Sequence, residues 1–237
     1  LNFIDMCNGR DGTLLTRGTF EEFYNAVGGT AFDIPTAKDV FLQMVNNEEN
    51  LTLMLDTTVT ELIMQDKTIT GVVLQQKKGS TVKCKANSVI DATADGDIAA
   101  AAGAAYTYLG EDYGHRENVT GVTLVFELSG VDWQAVCSYL NGDDNPNTGA
   151  TNKAAWGYHA ESTAYVPQDE KTRLRGLNIA LQDNGNVLIN GFIIFGVDPL
   201  DAASKTEGIE RGKAELAHIV PYLRENFVGF ADAALVD

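Results

Sequence analysis

Within seven consecutive positions the chain places Asp91, Thr93, Asp95 and Asp97. Carboxylates bind hard cations, and a threonine hydroxyl both donates and accepts hydrogen bonds. Ala92 and Ala94 lie between them, small enough to let the backbone approach a ligand closely. A carboxylate-metal enzyme built on Asp91, Asp95 and Asp97 is one reading. No further acidic residues complete a ligand set at recognisable spacing, so no metal site is expected. An aspartyl phosphotransfer site needs a second Asp two residues after the first, and Thr93 occupies that position. Asp97 is better placed as the N-cap of the alanine-rich stretch that follows it.

Other reactive side chains are sparse. His115 and Arg116 share a polar stretch, where Arg could hold a carboxylate and His could move a proton. They are weak catalytic candidates, since charged loop residues are ordinarily solvated. His159 sits among Trp156, Tyr158 and Tyr165, an aromatic-rich loop that either faces a substrate or simply packs. His218 reads as structural, and Arg173 and Arg175 either bind an anion or flank a strand. Cys7, Cys84 and Cys137 form no CxxC and read as inert thiols. No GxSxG supports a serine nucleophile.

The elements that must carry these groups follow from hydrophobic period and turn residues. A short helix is expected over Phe20–Val27. Asp33 and Pro35 mark a helix start, and Ala37, Val40, Phe41, Met44 and Val45 give the helix one apolar face. Leu51–Leu55 is strand-like. Val59–Gln65, Thr68–Gln76 and Thr81–Lys85 read as an antiparallel meander. Ser88–Thr93 lacks alternation, as a strand buried on both faces would, and a helix begins near Ile98. Further on, Val122–Leu128 predicts a strand, Val131–Leu140 a helix, and Asn141–Lys153 a polar loop. Leu177–Leu181 and Val187–Phe195 form a hairpin around Asp183-Asn184-Gly185. Ser204-Lys205-Thr206-Glu207 resembles a capping box, opening a helix that Pro221 should kink or restart. The fold class expected is α/β with mixed α+β character.

With 33 acidic and 17 basic residues the net charge is −16. So acidic a surface repels phosphate backbones and anionic bilayers, which excludes nucleic acid as a partner. No apolar run reaches the ~20 residues of a membrane span. No signal-like stretch follows Leu1, which points to the cytoplasm. The abrupt start without Met suggests upstream residues, which could hold an export signal.

Val89-Ile90-Asp91-Ala92-Thr93-Ala94-Asp95-Gly96-Asp97, followed by Ala99–Ala104, resembles a segment of bacterial FAD-dependent oxidoreductases with the glutathione-reductase-like FAD fold. The Phe32–Pro35 helix start, the Val59-Thr60-Glu61 strand with Gly71-Val72-Val73, the Leu124–Asp132 strand and turn, and the closing Asp198–Asp237 stretch resemble the same family. The resemblance implies that Ala92, Thr93 and Ala94 line the ADP half of FAD, and that the Val59 backbone meets the adenine edge. The tip of Ser88–Thr93, as an interior strand, would then abut the nucleotide. The family usually carries glycine where this chain has Ala94, whose methyl would crowd the cofactor or exclude a positive φ.

No two of the 23 glycines are two residues apart, so the GxGxxG dinucleotide fingerprint is absent from these residues. The resemblance therefore implies a fragment: residues 1–105 an incomplete FAD-binding region, 106–203 a substrate-side sheet, and 204–237 a helix returning to the FAD region. Its partners would be a small-molecule substrate and the N-terminal dinucleotide-binding segment of the same protein. The parent would pass hydride or electrons between substrate and flavin, and the fragment alone would be inactive and hold FAD weakly. The alternative is a non-enzymatic acidic α/β binding or interaction module.

Overall fold

Alternating residues and two tight turns build a three-stranded antiparallel sheet where the sequence places one. The computed structural model describes residue 4, residues 13–115 and residues 120–236. They divide into two units: residues 48–118, and residues 1–47 joined to 119–237. The sheet belongs to the first unit. Its strands are β1 (Thr57–Gln65), β2 (Thr68–Gln76) and β3 (Thr81–Lys85), in that order, so β1 and β3 are edges. Register slips after Val59 and after Ile63 bulge β1.

The flanking segments correct two expectations. Leu51–Leu55 forms no strand, and Leu51, Leu53 and Leu55 are exposed. Ser88–Thr93 is not an interior strand either; it is irregular, and Ile90 is 91% exposed. Every strand pairing among the described residues is antiparallel. An apolar run becomes a buried strand only when neighbours supply the ladder bonds, and no described strand does so here.

The second unit is built on a seven-stranded antiparallel sheet. It contains β4 (Val122–Thr123), β5 (Phe126–Ser129), β6 (Gly149–Ala150), β7 (Ala154–Gly157), β8 (Thr172–Leu181), β9 (Val187–Ile194) and β10 (Ala234–Leu235). The order is β10-β5-β9-β8-β7-β6, with β4 also on β9. The strand expected over Val122–Leu128 is thus two strands, interrupted at Leu124 and Val125. The β8–β9 hairpin turns at Gly185, as the Asn-Gly pair predicts.

Among the described residues this unit has five helices. These are α1 (Thr19–Ala26), α2 (Ile34–Asn46), α4 (Trp133–Gly142), α5 (His159–Ala164) and α6 (Ala202–Asn226); α3 (Asp97–Ala101) lies in the first unit. Of the five, α4 and α6 pack on the sheet's core. The core joins Leu128, Leu177, Ile179, Ile189 and Phe192 of the sheet to Val136 and Leu140 of α4 and to Leu216, Ile219 and Leu223 of α6. Helix α6 begins at the Asp201 cap rather than at the Ser204 box, because the Ser204 hydroxyl accepts from the Asp198 N–H instead. It runs through Pro221 without interruption.

The start of α2 is tied to the hairpin end of β8 and β9. Asp33 Oδ2 caps the helix from Thr36 N–H, while Asp33 Oδ1 accepts from Asp183 N–H at 3.1 Å. Gln182, buried, accepts from Ile34 N–H at 3.0 Å and donates to the Phe32 carbonyl at 3.3 Å. Replacing Asp33 by Ala removes a cap and takes the partner from the Asp183 N–H. The expected loss is about 1–2 kcal/mol of unfolding free energy in a denaturant titration; an unchanged midpoint would mean that the tie is not structural.

Candidate functional site

The small-residue turn before α3 is shaped by its own side chains. Asp91 Oδ1 accepts from the Thr93 N–H at 3.0 Å and from the Thr93 hydroxyl at 2.7 Å. Asp91 Oδ2 accepts from the Ala99 N–H at 2.8 Å, and Thr93 Oγ1 accepts from the Asp97 N–H at 2.9 Å. The cap of α3 is therefore Asp91, eight residues before the amide it holds, and not Asp97. Gly96 makes this possible: at φ 72 it turns the chain back so that Asp91 lies over the helix start. Ala94 is not among the residues with positive φ, so the left-handed position of this turn already belongs to a glycine.

Ala92, Thr93 and Ala94 are all exposed. Val59 lies on edge strand β1 opposite Leu74, at the first bulge. Among the described residues no hydrogen bond joins Val59 to the turn. His115 is exposed in the same unit, its N–H bonded to the Gly110 carbonyl at 2.9 Å. Arg116 lies outside the described residues.

A second candidate is a cavity of about 370 Å³ in the larger unit. Thr30, Asn147, Thr151, Trp156, His159 and Asn178 contribute its polar and aromatic lining. Asn147 falls in the stretch expected as a polar loop, and β6, β7 and α5 are too short to show a period in the sequence. Trp156 stands across from Gly149 on β6 and from Asn178 on β8, and Asn178 faces Asn190 on β9. A Cβ on Gly149 would come within 2.8 Å of the indole, and one on Gly176 within 2.1 Å of His159 Nδ1. Both rings thus lie against bare backbone.

His159 is aimed by the residue before it. Tyr158 holds a left-handed conformation (φ 57), uncommon for a large side chain. Its burial maintains it: the ring stacks on Tyr139 at 5.4 Å and meets Phe230 edge-on at 5.7 Å, and its hydroxyl donates to the Val228 carbonyl at 2.7 Å. That burial pushes the Tyr158 phenol pKa above its ordinary value. Arg173 and Arg175 are exposed on β8, and His218 is exposed on α6; none of them lines the cavity.

A family model described as FAD dependent oxidoreductase matches residues 2–237. The chain belongs to that family. No curated protein and no solved structure matches it. Membership in the FAD dependent oxidoreductases brings FAD as the cofactor, a small-molecule substrate and a flavin oxidoreductase role. The assignment rests on that match, because the interior strand expected to support it is absent here. In this oxidoreductase the charge of the turn does not suit a pyrophosphate. The turn's small side chains are open, but Asp91, Asp95 and Asp97 present negative charge, and Thr93 already donates its proton to Asp91. With both Asp91 oxygens engaged in the cap, a metal reading of this turn also loses its central ligand.

The cap has a definite pH sense. The Ala99 N–H first, then the Thr93 hydroxyl and N–H, hold the Asp91 carboxyl below the usual carboxylate range. A depressed carboxyl contributes stability above its unfolded value, near pH 4, and loses it as pH falls through the folded value. Amide exchange at Asp97 and Ala99 is expected to accelerate in Asp91→Ala and Thr93→Ala at neutral pH. Wild type should approach the Asp91→Ala rate only on acidification. Equal rates in all three proteins at neutral pH would remove the cap from the account.

Proposed function

We propose that these residues form part of a flavin oxidoreductase of the glutathione-reductase-like kind, with residues 48–118 flanking the adenosine of FAD and the larger unit forming the substrate wall. Family membership, taken with the open turn at Ala92–Ala94, is the observation that carries this reading. The flavin, when bound, supplies the hydride or electron chemistry. The chain's own residues bind and orient. Asp91 and Thr93 hold the turn in shape, and Ala92, Ala94 and the Val59 backbone offer contact without charge.

In the larger unit His159 is the group placed to take a proton from a substrate atom in the cavity, its ring resting on the Gly176 backbone. His115 and Arg116 remain weaker candidates for substrate handling. The pyrophosphate grip falls to a glycine-rich segment of the same protein that these residues do not include, since they contain no GxGxxG.

The 237-residue chain alone is expected to bind FAD at least about tenfold more weakly than the same chain supplied with such a segment, and to be catalytically silent. Titrating both preparations with FAD and following the flavin absorbance measures the difference. A stoichiometric flavin complex of the chain alone would overturn the division of labour. Failure of both preparations to bind would overturn the cofactor assignment of the turn.

A further inference from the structure

We propose that the cavity bounded by Thr30, Asn147, Trp156, His159 and Asn178 seats a neutral, polyhydroxylated ring, the chemistry of a sugar. This deepens the reading of the larger unit as the substrate wall and rests on it. Among the described residues, no hydrogen bond engages the side-chain groups of Thr30, Asn147, His159 or Asn178. Thr151, by contrast, is fully used: its hydroxyl donates to the Ala154 carbonyl and accepts from the Lys153 and Ala154 N–H groups. Four polar side chains from four stretches of chain therefore converge on one space with their bonding capacity unassigned.

Their chemistry selects the ligand. Side-chain amides and hydroxyls both donate and accept, which matches a ring whose every hydroxyl does the same. The Trp156 indole, seated on Gly149, adds an aromatic wall to the cavity. Among the described residues no Lys, Arg, Asp or Glu lines the cavity, so these walls give a charged ligand no counter-charge in return for its lost water. A volume of about 370 Å³ lies at the small end of ligand sites, which suits one or two rings.

The test is a titration of the purified protein with methyl α- and β-glucopyranoside, methyl galactopyranoside and N-acetylglucosamine, with gluconate as the charged counterpart. Binding is read from tryptophan emission. At least one neutral ring should saturate the signal and gluconate should not. Trp156→Phe should abolish the response, and Asn178→Ala and His159→Ala should each weaken binding about 3- to 10-fold. Gly176→Ala should do the same by displacing the imidazole. Thr206→Ala on α6, which lines no part of the cavity, should leave binding unchanged, and circular dichroism checks that each variant is folded. The proposal is overturned if no neutral ring binds, if gluconate binds as well, or if the Asn178 and His159 variants bind like wild type. It is also overturned if FAD itself fills the cavity and excludes the sugars. Flavin binding, followed separately by absorbance, tests the underlying reading, so lost sugar binding with flavin binding intact overturns the ring assignment alone.

Discussion

The hydrogen bonds that Asp33 and Gln182 make across 150 residues of chain decide the shape of the larger unit. Neither side chain is bonded merely to its own neighbours. Each satisfies a backbone group at the start of α2 and another at the β8–β9 turn or on the chain leading into α2. The N-terminal helices have a small core of their own, in which Phe23 meets Phe32 edge-on at 5.6 Å, while the exposed Phe41 ring stacks on Phe23 at 4.3 Å. So small a core gains stability by attachment to a larger one. The attachment also brings Thr30, three residues before Asp33, to the cavity wall.

A similar constraint operates at the other end of the sheet. Glu215 of α6 is buried, and its carboxylate accepts from the Gln168 N–H at 2.9 Å, the Asp169 N–H at 3.2 Å and the Tyr165 hydroxyl. A buried charge is tolerable when it is this fully hydrogen-bonded. The bonds fix the segment between α5 and β8 against α6. Together with the Tyr158 anchor they leave little freedom to the stretch that carries His159.

The sequence was most legible where a period repeats. The three strands of the meander lie where alternation puts them: a two-residue turn joins the nine-residue β1 and β2, and a glycine-containing turn returns the five-residue β3. The Asp33 cap follows from local chemistry, its side chain accepting from the amide three residues on. The cavity was barely legible. Trp156 and His159 stood out as an aromatic-rich loop, but Asn147, Thr30 and Asn178 meet them only through long-range pairing that no local pattern encodes. The Asp91 cap was missed for a related reason: capping is ordinarily read over three residues, and here the carboxylate reaches across eight. Ser88–Thr93 misled because an apolar run shows what a segment would bury, not whether a neighbour is there to bury it.

Helix α3 has only five residues, too few to sustain itself in water. It persists because a carboxylate and a hydroxyl upstream close a ring of hydrogen bonds around its first turn. Anything that pulled the Thr93 hydroxyl outward would open that ring and unwind the coil behind it. On the reading proposed above, the turn would act as a latch: a guest would leave the helix intact only by touching the methyl groups and sparing the hydroxyl.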